Sequence, residues 1–169
     1  EGRGVAAGED DLGCGRTGRP DVEDNGEDMF KAFSNAKTQI RFVVRMNREA
    51  IRTPARSVSN TEFHHSGEEV NDIARSVVQT LEDRGIRAMN PAMGIPMEMA
   101  KFPGKVWVVS HKPVAVAACI GMMGITRNVI HEKFGTFLLS GTILLDGGVS
   151  WSSPPLTCNP CLVCIRCVP

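Results

Sequence analysis

Apolar positions along the chain fall into a few patterned stretches. "QIRFVVRM" (39–46) is apolar and β-branched with charges at its edges, the pattern of a buried strand. In "TEFHHSGEEVNDIARSVVQTLEDRG" (61–85), Val70, Ile73, Ala74, Val77 and Leu81 recur on one face at helical spacing. Ser66 with Glu69 three residues on predicts a capping box there, and Gly85 stands where a left-handed cap is common. "KVWVVS" (105–110) is a short run fit for a buried strand. "HKPVAVAACIGMMG" (111–124) predicts a helix that opens at Pro113 and breaks at the glycines. "GTFLLSGTILL" (135–145) predicts a long strand with a bulge at Gly141, and "GGVSWSSPP" (147–155) a linker. Strands alternating with helices, without an internal repeat, predict an α/β or α+β layered fold.

Composition narrows the class. The 169 residues are enough for one domain with a core, and 42% are apolar. No apolar run reaches the roughly 18 residues a membrane-crossing helix needs. "EGRGVAAGED" has no apolar stretch, so it does not read as a secretory signal, and it lacks an initiator methionine. Net charge is zero but unevenly placed. Residues 1–28 hold nine acids and three arginines, the rest sixteen bases and ten acids. That first segment is glycine-rich with few large apolar residues, so burial cannot offset its ordering entropy. It is expected to be a disordered acidic leader or translated upstream sequence, ahead of a domain over 29–150.

The chemistry is concentrated at the end, in "CNPCLVCIRCVP" (158–169). Cys158, Cys161, Cys164 and Cys167 are spaced C-x2-C-x2-C-x2-C, with Cys14 and Cys119 far away. A disulfide framework spreads its cysteines to close useful loops. Three-residue spacing instead lets thiolates converge on one soft metal centre, as iron–sulfur ligands do in C-x2-C-x2-C-x3-C-P. A zinc site built from two C-x2-C pairs needs a longer spacer between them. A [4Fe–4S] cluster is therefore expected, ahead of a four-cysteine zinc site or unligated or disulfide-bonded thiols. Either all four cysteines are ligands with the last gap one residue short, or Cys161, Cys164 and Cys167 are the first three and the fourth lies beyond residue 169. "NPC" (159–161) favours the second, which reads the chain as a fragment. Clustered reduced thiols point to the cytoplasm.

The stretch "HKPVAVAACIGMMGITRNVIHEKFGTFLLSGTILLD" (111–146) resembles the core of the epoxyqueuosine reductase family, which carries A-G-L-G-x-x-G-[KR]-N, then a histidine and further glycines ahead of its cysteines. The matching positions are Ala118, Gly121, Gly124, Arg127 and Asn128, then His131, Phe134, Gly135, Gly141 and Asp146. "EFHH" (62–65) resembles the family's D-Y-H, and the likeness runs over about residues 39–167. "MNREAIR", "NPAMGIPMEM" and "SHKPVAVAA" are similar to blocks in iron–sulfur relatives of that reductase.

The resemblance implies a nitroreductase-like layered domain that binds cobalamin, followed from residue 151 by the start of a ferredoxin-like domain. Electrons would pass from a ferredoxin- or flavodoxin-like donor protein through [4Fe–4S] clusters to the corrinoid, as in the more distant reductive dehalogenases. Gly121 and Gly124 would let backbone approach a cofactor, with Arg127 and Asn128 as donors beside them. The plainer alternative is that the glycines let a helix pack or turn. One family glycine is Cys119 here, and no acid lies between Lys101 and Cys119 where the family's proton-donating aspartate would stand. His111 and Lys112 occupy that neighbourhood and are the candidate proton donors, with solvent-facing residues at a strand end as the alternative.

Other features carry less. Glu62, His64 and His65 are a weak metal set, because adjacent side chains diverge. Met89, Met93, Met97, Met99, Met122 and Met123 suit an apolar pocket or a core. Pro91, Pro96 and Pro103 make 89–104 a structured loop or lid. No basic helix with interleaved aromatics supports direct nucleic-acid binding, and a tRNA substrate enters through family analogy alone. Two classes remain: an iron–sulfur oxidoreductase or a fragment of one, with or without a corrinoid, and a non-catalytic ferredoxin-like electron carrier or binding module.

Overall fold

The computed structural model describes residues 12–16, 26–93, 109–118 and 120–148. In chain order the elements are β1 (Leu12–Arg16), α1 (Gly26–Ala32), β2 (Thr38–Arg45), α2 (Arg48–Arg52), α3 (Arg56–Glu82), β3 (Ala88–Met89), α4 (His111–Ala117), β4 (Met122–Met123), β5 (Val129–Ile130) and β6 (Leu138–Leu145). Four strands form a sheet in the order β1-β2-β6-β3, and β4 and β5 form a separate hairpin. Among the described residues every ladder is antiparallel. The layered expectation holds, in its α+β form.

The central pair follows from composition. β2 and β6 are both rich in β-branched and aliphatic residues, and they pair over their whole length from Thr38↔Leu145 to Arg45↔Leu138. Period-2 alternation gives the sheet two buried faces. Phe42, Val44, Ile143 and Leu145 pack under Val70, Ala74 and Val78 of α3. On the other face Val43 and Leu138 meet Ala115 of α4, Ile120, Val129 and Phe134, while Leu144 meets Val114, Val109, Met29 and Ala36. Each fully buried valine or leucine stabilises by about 1.5–3 kcal/mol of transfer free energy, so both layers hold the sheet.

α3 differs from expectation at its start. It begins at Arg56, after Pro54 and an Ala55 cap that makes no side-chain bond. Ser66 is therefore interior and 3% exposed, with its Oγ donating to Glu62 Oε1 at 3.3 Å, not a cap. The stop is as expected: Gly85 has φ +76°, and the Ile86 N–H returns to the Leu81 carbonyl at 2.9 Å. Val70 and Ala74 are buried, and Ile73, Val77 and Leu81 line the edge of the same core.

Three further expectations are corrected. α4 ends at Ala117, and Met122–Met123 is a strand, because a hairpin closes after Gly121. β6 runs through Gly141 without a bulge, in register with Phe42. The missing Cβ is what admits the Phe42 ring, since a Cβ at Gly141 would lie 2.4 Å from Phe42 Cζ and 2.9 Å from Val70 Cγ1. Inside the segment expected to be disordered, Leu12–Arg16 forms an edge strand on β2, and α1 begins at Gly26. The backbone of β2 supplies the ladder there, so glycines suffice. The expected strand at 105–110 falls outside the described residues up to 108, as do Cys14's side chain, Cys119 and everything from 149 on. None of the described helices is long and apolar enough to cross a membrane.

Candidate functional site

The site is built on the start of α4 and the β4–β5 hairpin. The hairpin pairs Met122 with Ile130 and Met123 with Val129. Its loop closes through Gly124 N–H to the Asn128 carbonyl at 2.8 Å and Arg127 N–H to the Gly124 carbonyl at 2.9 Å. Arg127 takes φ +59°, the left-handed conformation that costs a non-glycine residue about 1–2 kcal/mol.

Both glycines are used by the hairpin itself. A Cβ at Gly121 would lie 2.6 Å from the Ile130 carbonyl oxygen and 2.8 Å from Val129 Cγ1. At Gly124 it would lie 2.7 Å from Ile130 Cδ1. Their missing side chains bring the chain against Ile130, so packing alone accounts for them.

Lys112 and Asn128, sixteen residues apart, meet: Lys112 Nζ donates to Asn128 Oδ1 at 2.9 Å. This joins the first turn of α4 to the end of the loop, with Arg127 beside it. The loop also presents Ile125, 81% exposed, and Met123, 39% exposed. The hydrogen-bonded Lys112 and Asn128 thus adjoin a hairpin whose exposed residues include Arg127, Ile125 and Met123.

His111 points away from Lys112, its neighbour. It is 8% exposed, and its Nδ1 lies 3.0 Å from Thr142 Oγ1 on the sheet. Its Nε2 has no hydrogen-bond partner among the described residues. Burial lowers its pKa from the usual 6.5; the Ala92 backbone works in the opposite direction, and the Arg41 charge adds to the lowering. Burial thus favours the neutral ring, which bridges α4 and the sheet. The two candidate proton donors therefore face different environments, Lys112 the surface and His111 the interior.

Sequence reading missed the polar layer under α4. Arg41 is 2% exposed and donates to Gln39 Oε1, while Gln39 Nε2 reaches the Met29 sulfur at 3.1 Å. Thr142 and Ser140 complete the row on β6. The signal was there as period-2 alternation, Gln39 and Arg41 opposite Leu144 and Thr142. His131, 4% exposed, accepts at Nδ1 from the Lys133 and Phe134 N–H groups at 3.0 and 3.3 Å. It stacks on Phe134 with centroids 4.7 Å apart. Asp146 is held at the sheet end by Lys37 at 3.1 Å and Arg87 at 3.4 Å.

Glu62 and His65 line a shallow groove between α2 and α3 with Val58. Among the described residues no three His, Cys, Asp or Glu side chains gather to hold a metal ion. Cys158, Cys161, Cys164 and Cys167 lie outside the described residues, as do Met97 and Met99.

No protein-family model matches the chain, and no curated protein matches it by sequence. Solved structures resemble it in fold, two epoxyqueuosine reductases among them. Epoxyqueuosine reductase from Streptococcus thermophilus aligns with a TM-score of 0.54 and 15% identity, over 93% of this chain and 47% of that one. Epoxyqueuosine reductase from Bacillus subtilis, with its catalytic aspartate loop swung out of the active site, aligns with a TM-score of 0.50 and 13% identity, over 88% and 45%. The fold is epoxyqueuosine reductase-like, and this chain spans about half the length of those proteins.

Proposed function

We propose that this chain is the corrinoid-binding part of an iron–sulfur reductase related to the epoxyqueuosine reductases. The observation that carries the reading is the fold likeness over 93% of the chain. In this reading residues 29–150 form the reductase-like domain, and 151–169 begin a ferredoxin-type domain whose Cys158, Cys161, Cys164 and Cys167 hold a [4Fe–4S] cluster. A ferredoxin- or flavodoxin-like protein of the cytoplasm supplies the electrons.

The surface at the α4–hairpin junction suits a corrinoid. Ile125 and Met123 offer apolar contact to a ring face, and Lys112, Arg127 and Asn128 offer donors to amide and phosphate groups at its edge. A bound corrinoid would supply redox chemistry at its cobalt. The protein's part is to bind and orient. Asn128, its oxygen engaged by Lys112, keeps its amide N–H groups for the ligand. Lys112 has further Nζ protons with which to hold an anion or protonate a reduced product. Gly121 and Gly124 act through the hairpin they close. His111 anchors α4 against Thr142, so that Lys112 stays in place.

The test is anaerobic reconstitution with iron and sulfide, followed by hydroxocobalamin. A brown protein whose broad visible absorption bleaches on reduction, and which retains corrinoid through gel filtration, is expected. A colourless protein with stoichiometric zinc and no retained corrinoid would overturn the reading.

A further inference from the structure

A second surface lies where β2 ends and β6 begins, and there cations gather round an aromatic ring. Arg48 and Arg52, one turn apart on α2, place their guanidinium carbons 5.6 and 5.4 Å from the centroid of Phe137. Arg48 Nη2 also donates to the Lys133 carbonyl at 3.1 Å, and Lys133 Nζ lies 5.6 Å from the Phe134 centroid. Arg45 is at the same end, because the next N–H, that of Met46, bonds to the Phe137 carbonyl at 2.9 Å. All four cationic side chains are exposed.

Exposed charges of this kind add little to folding. Two arginines over one ring also repel each other, and an anion placed between them relieves that. The ring and the carbonyl hold the guanidinium groups in position, so an incoming anion immobilises less free side chain. We propose that this end of the sheet is a docking surface for an acidic protein, whose carboxylates pair with Arg45, Arg48, Arg52 and Lys133.

Guanidinium forks bind carboxylate and phosphate alike. Two observations favour a protein over a nucleic acid. Glu49, 3.8 Å from Arg52, and Glu132 lie inside the patch. They repel an unbroken line of phosphates, whereas a protein surface answers them with its own cations. The aromatic rings are also taken: Phe134 is 2% exposed and Phe137 is under the arginines, so neither offers a stacking platform for a base. The inference rests on this surface alone and stands apart from the corrinoid reading.

The experiment is fluorescence anisotropy on the full chain with two labelled probes: a glutamate-rich peptide with interspersed lysines, and an oligouridylate of equal net charge. The peptide is expected to bind more tightly, and more weakly as salt rises. Arg48→Glu with Arg52→Glu, and separately Lys133→Glu, should each weaken the peptide by about tenfold or more. The double variant should gain affinity for a lysine-rich peptide with interspersed glutamates. Circular dichroism confirms folding, and Lys133→Glu keeps the test alive if the arginine variant unfolds. Tighter binding of the oligouridylate, no peptide binding, or peptide affinity unchanged in the folded variants would overturn the proposal.

Discussion

Lys112 Nζ donates to Asn128 Oδ1 at 2.9 Å, across sixteen residues of chain. A helix start and a hairpin loop that carry separate sequence signals are thereby one structural unit. Removing either partner should loosen the loop more than the fold. Lys112→Ala and Asn128→Ala are each expected to cost under about 1 kcal/mol in urea unfolding, as exposed hydrogen bonds do. Each should weaken hydroxocobalamin binding several-fold, and the double variant should lose little more than the worse single one. Additive losses in affinity would mean that the two side chains act separately.

Arg127 separates conformation from chemistry. Its φ of +59° is free of strain for glycine, so Arg127→Gly is expected to keep stability or raise it by about 0.5–1 kcal/mol. The same change removes a cation from the candidate surface and should reduce corrinoid retention. Thermal melting and a gel-filtration binding assay on one preparation check both halves.

Gly141 is a strict steric position. Gly141→Ala puts a methyl into the Phe42 ring and Val70, and about 1–3 kcal/mol of destabilisation is expected. Phe42→Leu should be better tolerated on the Gly141→Ala background than on the wild-type chain, as a double-mutant cycle in urea would measure. Gly121→Ala should be worse, because the obstructing atom there is backbone, the Ile130 carbonyl oxygen.

His111 makes stability depend on pH. Its folded pKa lies below 6.5, its ordinary value in the unfolded chain, so between those two values the unfolded chain binds more protons than the folded one. Stability is therefore full above about pH 7 and falls as the pH drops through the histidine range, by up to about 1.4 kcal/mol for each pH unit that separates the folded and unfolded pKa. In His111→Gln, which keeps a polar group near Thr142, this share of the loss should vanish. Urea midpoints at pH 7.5, 6.5 and 5.5 for both proteins provide the comparison.

The parts of the fold that could be read beforehand are those where one periodicity dominates. β2, β6 and the core face of α3 show it, and so does the stop at Gly85. The start of α3 was hidden because Ser66 and Glu69 form a good capping pattern, while the real cap, Ala55, has no side-chain signature. Arg41 was hidden because a charge inside an apolar run reads as surface, and only the neighbouring strand's Thr142 and Ser140 reveal a buried polar row. The candidate loop was found through its glycines. Their role in it was not legible, since Ile130 fills the space that a cofactor was expected to use. His111 and Lys112 read as a pair because they are adjacent, but successive residues on a helix face in different directions.

The sheet order has a consequence for how the chain is made. β2 and β6 are neighbours in the sheet, yet Arg45 and Leu138 are about ninety residues apart. Closing so large a loop is slow compared with winding α3, which is a local event. During synthesis the apolar stripe of α3 must therefore form before the ladder that will cover it exists, and its Val70, Ala74 and Val78 are exposed to passing chains. A chaperone that shields helical surfaces early should raise the yield of soluble protein more than one that acts after release from the ribosome.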